Sequence, residues 1–256
     1  MQIEFSGQSV LVTGAARGIG AGIARAFIDA GADVIAADIL RDGLDALKSA
    51  VDAPDRLRMM HIDLADGHAV QETLGDLAPD VVVHVAGGVR GQSPRPIEEI
   101  DDAAWMEIYE ANVMSALHVV RACIPAMKAR GSGRIVTISS GAGLRPSLTG
   151  IQSYCSAKHG LIGLTRQLAL ELGPHGITVN SVAPGFLLTS PDYERQWAGY
   201  GADQQRRMIE GIAMRRLGQP EDIAAAVLFF RIDPRQLDHR AGTACFRSPI
   251  SVRRRI

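Results

Sequence analysis

The stretch "SVLVTGAARGIGAGIARAFIDAGADVIAAD", residues 9–38, changes its periodicity twice. Ser9–Thr13 is a short, nearly unbroken apolar run, the pattern of a strand buried on both faces. A glycine-rich turn, Val12–Gly20, leads out of it. Residues 18–30 then place apolar side chains at helical spacing, and a second apolar run, residues 33–37, closes on Asp38. Strand, glycine turn, helix and strand in this order predict a βαβ unit with parallel strands and a right-handed crossover.

The same rhythm continues outward. Apolar runs recur at "DVVVHVA" (80–86), "RIVTIS" (134–139) and "ITVNSVA" (177–183), and helical spacing at 101–128, 156–173 and 220–230. Alternation of this kind implies a doubly wound, Rossmann-like α/β sheet covered by helices on both sides. Of the 256 residues, 46% are apolar and 21% charged, with a net charge of -1. That balance suits a large buried core and argues against nucleic acid or an anionic membrane as partner. Cys123, Cys155 and Cys245 have neither metal-ligand nor disulfide-framework spacing, so no metal is expected and a reducing cytoplasm is. "MQIEFSGQ" lacks the pattern of a signal peptide, and no run reaches the length of a membrane span. One domain is expected, residues 1–230, with 231–256 as an atypical terminal segment of it.

In a doubly wound sheet the ligand sits beyond the carboxyl ends of the strands. Gly14 can adopt backbone angles closed to other residues. Gly18 and Gly20, flanking Ile19, let the chain approach a pyrophosphate, whose charge a helix N-terminus favours. Asp38, at the end of the second strand, can bond an adenosine ribose and would repel a 2′-phosphate, which favours NAD. Arg17 pulls toward NADP if it holds that phosphate, and is otherwise a solvated loop residue. Asp63, followed by Leu64, comes after the third strand and can contact adenine or cap a helix.

"YCSAK" sets Tyr154 and Lys158 four residues apart at the start of a helix, on one face. A tyrosine titrates near 10, about three units above neutral pH. A lysine ammonium one turn away is expected to favour the phenolate and make Tyr154 a general acid/base. Ser139 and Ser140 end a strand just upstream, where a hydroxyl can bond a carbonyl oxygen or simply cap a turn. Asn112 is polar in an otherwise apolar helical face, catalytic or a satisfied core amide.

Taken together, residues 5 to about 230 resemble the short-chain dehydrogenase/reductase family. "TGAARGIG" is similar to that family's cofactor loop, "AGG" (86–88) to its fourth-strand motif and "YCSAK" to its Tyr-x-x-x-Lys. "PGFLLT" (184–189) resembles its nicotinamide-carboxamide loop, and "LGQPEDIAAAVLFF" (217–230) its late helix. The resemblance implies a seven-stranded sheet, a homodimer or homotetramer, and hydride transfer between NAD(H) and a secondary alcohol or ketone. It makes Tyr154 the proton donor/acceptor, Lys158 the ligand of the nicotinamide ribose, and Asn112 the support of a water-mediated relay to Lys158. "SGAG" (140–143) matches the family's Ser-x-x-Gly, which selects Ser140 to stabilise the reacting oxygen. Val85, Ala86, Gly87, Pro184, Gly185, Leu187 and Thr189 complete the implied cofactor contacts. Two departures stand out. His84 and Val85 replace two asparagines, a change expected to keep a backbone contact from Val85 but to lose side-chain bonds between strands. The Ser140–Tyr154 spacing is one residue longer than usual, so the loop containing Arg145 is expected to be reshaped.

Tyr193, Trp197 and Tyr200 would form one aromatic face of a helix, either a lid over the site or an ordinary packing face. Arg145, Arg195, Arg206 and Arg207 would suit an anionic substrate or be solvated. Two rival functions are an NADPH-dependent 3-oxoacyl reductase and a non-enzymatic nucleotide-binding redox sensor. Asp38 argues against the first, and the set Asn112, Ser140, Tyr154 and Lys158 against the second. Apolar residues on several faces of two helical stretches, among them Met114, Leu117, Val120, Leu161, Leu164 and Leu168, are expected to need a second subunit.

After Phe230 the family's pattern ends. Back-translated one nucleotide forward from Arg231, the segment reads "GSIRASSITGQVLPVSG", which resembles the missing family ending. The expectation is a frameshift, with the final strand's slot at Ala241–Cys245; a family variant and a solvated basic tail are the competing readings.

Overall fold

The computed structural model describes residues 4–230 and a short strand at Cys245–Arg247. Strand β1 (Ser9–Thr13) is central and parallel to both neighbours, β2 (Asp33–Asp38) in the register Ser9–Asp33 and β4 (Val81–His84) in the register Val10–Val81. With β3 (Leu57–His61), β5 (Gly133–Ile138), β6 (Ile177–Ala183) and β7 (Cys245–Arg247), the order is β3-β2-β1-β4-β5-β6-β7. The order reverses between β1 and β4, which opens a crevice at their carboxyl ends.

Both faces of the inner strands are buried, so apolar residues on either side of the pleat have somewhere to go. Val10, Val12, Val83 and Val182 join Phe27, Ile223 and Val227 from α1 (Gly18–Asp29) and α8 (Pro220–Phe229) in one core. Leu11, Val82, Ile135 and Val179 join Val119, Met127 and Leu172 in the other. The second layer comprises α3 (Gly67–Leu74), α5 (Ser115–Arg130) and α6 (Gln152–Leu172). Each fully buried Val or Leu contributes about 1.5–3 kcal/mol relative to exposure, so this two-sided burial explains the near-continuous apolar runs. The remaining helices are α2 (Arg41–Ser49), α4 (Asp102–Tyr109) and α7 (Pro191–Glu210).

Several expectations are corrected. The run 80–86 is a strand only to His84; Val85 onward leaves the sheet and walls the crevice. The helical stretch 101–128 is two helices, α4 and α5, joined by a π turn at Glu110–Met114. Val120, Leu161 and Leu168 are buried within this chain, and Met114, Leu117 and Leu164 are half-buried, so these side chains no longer argue for a second subunit. Of the last strand, Cys245–Arg247 is described, and its backbone pairs Ser181 with Cys245. Residues 241–244, the rest of the re-read segment and Arg253–Arg255 lie outside the described residues.

Candidate active site

A cleft of about 550 Å³ opens at the carboxyl ends of β1, β2 and β4. At one end Gly14, with φ +62°, lies so close to the segment that follows β4 that a Cβ there would sit 2.7 Å from the Ala86 nitrogen. A Cβ on Gly20 would overlap the Gly14 carbonyl, and one on Gly18 would overlap the Thr189 carbonyl. The glycines thus leave a backbone-lined cradle at the start of α1. Asp38 accepts from the Ala16 and Leu40 amides, 2.9 Å each, which ties the glycine loop to the end of β2. Asp63 accepts from the Ala65 amide in a turn, whereas α3 is capped by Asp66, so the helix-cap reading of Asp63 falls away. Arg17, Ile19, Leu64, Val85, Ala86, Gly87 and Thr189 lie along the same cleft. Leu187 is buried in the core instead, and the Pro184 carbonyl accepts from the Gly141 amide.

The bonds between strands expected to be lost at "HVAGG" are present, with His84 making them. Its Nδ1 lies 3.1 Å from Thr13 Oγ1, and its Nε2 lies 3.3 Å from Ser115 Oγ. Thr13 Oγ1 accepts from the Val85 and Ala86 amides, which leaves its proton for His84. Ser115 gives its own proton to the Ala111 carbonyl at 2.7 Å. These directions require a neutral imidazole protonated at Nε2. Complete burial, with help from the Lys158 charge, pushes the His84 pKa down to about 3, which fits. The imidazole therefore joins the ends of β1 and β4 to Ser115 at the start of α5, whose hydroxyl in turn bonds Ala111 in the π turn.

At the other end, Tyr154 and Lys158 occupy successive turns of α6. Lys158 Nζ donates to the Ile138 carbonyl at 3.1 Å and stands 5.7 Å from the centre of the Tyr154 ring. Burial lowers the lysine pKa to about 8. Burial also raises the Tyr154 pKa, opposed by hydrogen bonds from Tyr193 and Ser140. The shift is thus opposite to the one expected from Lys158, because desolvation of a phenol this deeply buried outweighs its neighbours. The two serines separate by direction: Ser139 Oγ donates to the Lys158 carbonyl, while Ser140 accepts from the Ala142 amide and reaches Tyr154.

Asn112, in the π turn, donates to the carbonyls of Ile108 (2.7 Å) and Gly88 (2.8 Å) and accepts from the Gly88 amide. Both amide donors are committed, so any part it plays toward Lys158 runs through a carbonyl lone pair or its main chain.

Helix α7 roofs this end. Ser190 caps it, and Phe186 meets Tyr193 edge-on at 5.7 Å and stacks on Trp197 at 5.6 Å. Tyr200 and Gln196 bond the Leu148 carbonyl, in a loop turned at Ser147–Gly150. The hydroxyl of Tyr193 lies 3.2 Å from that of Tyr154, a contact that residue types and spacing did not signal. Arg90, Glu107, Glu110 and Asp192 add charge to the cleft wall. Among the described residues, no group of three or more His, Cys, Asp or Glu is placed to hold a metal ion, and no helix is long and apolar enough to cross a membrane.

A glycine cradle and a Tyr/Lys pair at opposite ends of one crevice define a dinucleotide-dependent oxidoreductase. The profile of the short chain dehydrogenase family matches residues 8–197, and the chain belongs to that family. It is 34% identical to the 3-oxoacyl-(acyl-carrier-protein) reductase FabG of Salmonella typhimurium over 236 residues, 90% of this chain and 92% of that one. It is 33% identical to the L-xylulose reductase of Bos taurus, over 91% and 92% of the two chains. A solved 3-oxoacyl-(acyl-carrier protein) reductase from Brucella melitensis with bound NAD superposes with a TM-score of 0.77 at 30% identity, over 89% of this chain and 86% of that one. The protein is an NAD(P)-dependent oxidoreductase acting on CH–OH or carbonyl groups.

Proposed function

We propose that the protein transfers hydride between NAD(H) and a small secondary alcohol or ketone, with Tyr154 as general acid/base. The observation that carries this reading is one cleft lined by Gly14 and Asp38 at one end and by Tyr154 and Lys158 at the other, with the Ser140 side chain hydrogen-bonded to Tyr154. The residues present fit a dinucleotide: a glycine loop packed so closely that a Cβ on Gly14, Gly18 or Gly20 would meet the protein's own backbone, a helix N-terminus behind it, and a carboxylate where the ribose hydroxyls would lie. When bound, the nicotinamide accepts or returns the hydride. Asp38 disfavours a 2′-phosphate, hence the preference for NAD, although Arg17 borders the same cleft.

In this scheme Ser140 holds the carbonyl oxygen and Tyr154 supplies its proton as the hydride arrives. The raised Tyr154 pKa keeps the phenol protonated at neutral pH, which suits carbonyl reduction. Lys158 orients the nicotinamide ribose, Asn112 braces Gly88 beside the cofactor loop, and the segment Pro184–Thr189, which includes Gly185, faces the carboxamide. The reading extends to a cytoplasmic homodimer or homotetramer, for which Met106 on α4 and Leu170 on α6, exposed on packed helices, are contact candidates. The similarity to carrier-protein reductases supports a second reading, reduction of a 3-oxoacyl thioester.

The test is a cofactor-oxidation screen of small ketones, ketoses and acetoacetyl-CoA with NADH and NADPH in parallel. Ketone turnover with NADH is expected, and Tyr154→Phe should lower kcat by about 10²- to 10⁴-fold while the cofactor still binds. Turnover restricted to acetoacetyl-CoA with NADPH would establish the second reading, and undiminished turnover in Tyr154→Phe would remove Tyr154 from the mechanism.

A further inference from the structure

Of the side chains on α7, Tyr193 reaches the proton-transfer group: its hydroxyl lies 3.2 Å from that of Tyr154. Tyr193 is half-buried and, with Asp192, forms part of the cleft wall. Ser190 caps α7 at the Tyr193 amide, Phe186 meets the Tyr193 ring edge-on, and Gln196 and Tyr200 fasten the helix to the Leu148 carbonyl. The direction of the hydroxyl contact follows from which phenol keeps its proton. Burial, with Tyr154 and Asp192 beside it, raises the Tyr193 pKa well above that of an ordinary phenol. Burial raises Tyr154 too, but there the bonds to Tyr193 and Ser140 act to lower the pKa. Tyr193 therefore donates and Tyr154 accepts.

We propose that Tyr193 is a positioning residue for the proton transfer, its hydroxyl donating to the Tyr154 oxygen and staying bonded there as the Tyr154 proton leaves. This deepens the reading of Tyr154 as acid/base and rests on it. A phenolic hydroxyl donates one proton and also accepts, so Tyr154 can hold the Tyr193 bond while its own proton points at a carbonyl oxygen. Ser140 accepts from the Ala142 amide and has a single proton to give. Once that proton turns to the substrate oxygen, the Tyr193 bond to Tyr154 remains. In the step itself, hydride adds to the carbonyl carbon, the carbonyl oxygen takes the Tyr154 proton, and Tyr154 becomes a phenolate. Tyr193 neither gains nor loses an atom. A hydrogen bond to a charged oxygen is stronger than one to a neutral oxygen, so this bond strengthens as the proton leaves. An interaction that grows toward the transition state accelerates the step. Lys158 Nζ, bonded to the Ile138 carbonyl, acts by its charge from beside the Tyr154 ring, whereas Tyr193 touches the oxygen itself.

The test is Tyr193→Phe, which keeps the ring against Phe186 and deletes the hydroxyl. The charged groups lining this part of the cleft, Lys158 on α6, Asp192 on α7, Glu107 on α4, Glu110 in the π turn and Arg90 after β4, all stay in place. The readout is the pH profile of cyclohexanol oxidation with NAD, a direction that needs Tyr154 as a base. Loss of a donor to the phenolate raises the Tyr154 pKa, so the midpoint of the rising limb should move up by about one pH unit. At pH 7 kcat/KM should fall about tenfold, with the affinity for NAD unchanged. A turnover-independent reading comes from NMR of the NAD-bound protein with its four tyrosines isotope-labelled at Cζ, Tyr154 being assigned by its loss in Tyr154→Phe. The Tyr154 titration should move up by the same amount in Tyr193→Phe. An unmoved midpoint with the loss confined to KM or to stability, or an unmoved Tyr154 titration, overturns the role of Tyr193 and leaves the Tyr154 reading standing. Undiminished turnover in Tyr154→Phe sinks the Tyr154 reading itself and this inference with it.

Discussion

The two ends of the cleft are built differently. The dinucleotide end is backbone: Gly14, Gly18 and Gly20 act by lacking side chains, and Asp38 closes the loop through amide hydrogens. It comes from one continuous βαβ stretch. The chemical end is made of side chains delivered by separate elements: Ser140 after β5, Tyr154 and Lys158 on α6, Asn112 in the π turn and Tyr193 on α7. Backbone geometry tolerates no substitution that adds volume, whereas side-chain geometry depends on the packing of everything behind it. The first end is therefore brittle and local, the second distributed and tunable.

The largest effect should come from the local end. Gly20→Ala places a methyl group against the Gly14 carbonyl, which is backbone and has no rotamer to yield. A loss of about 4 kcal/mol or more in stability, or loss of NAD binding altogether, is expected in thermal unfolding and cofactor titration. Normal binding and an unchanged Tm would show that this end is no more brittle than the other.

An intermediate effect probes the imidazole that couples the ends. In the unfolded chain His84 takes up its proton as pH falls through 6.5, but in the folded chain only near 3. Its contribution is complete above pH 6.5 and declines below it by about 1.4 kcal/mol per pH unit. His84→Asn removes that titration. Its stability deficit relative to wild type, measured by urea unfolding, should shrink by about 2 kcal/mol between pH 7.5 and pH 5. An equal deficit at both values would mean that His84 is not held neutral in the fold.

The smallest effect sharpens the local end from its rim. Asp38→Ala deletes the charge that repels a 2′-phosphate, so the ratio of catalytic efficiencies for NADPH over NADH should rise by about ten-fold. Some affinity for both cofactors should be lost, because the Ala16 and Leu40 amides lose their acceptor. No change in the ratio would shift cofactor choice to Arg17.

Much of the local end was legible in the residues. Strand, glycine turn, helix and strand follow from two hydrophobic periods and from glycine's freedom at φ +62°, all short-range properties of the chain. The strands at 9–13 and 177–183 stand where the apolar runs put them, since buried parallel strands leave a continuous apolar signature. Strand β3 left a weaker one, because at its edge position Arg58 and His61 are exposed. Spacing alone set Tyr154 and Lys158 on one face of α6. Other features were decided only by the assembled fold. The π turn that aims Asn112 at Gly88, the imidazole between Thr13 and Ser115, and the meeting of Tyr193 with Tyr154 join residues 24 to 71 positions apart. The direction of the Tyr154 pKa shift belongs with them. Lys158 is a neighbour in sequence and its effect could be read there, but burial is a property of the whole molecule, and at this site desolvation is the larger of the two.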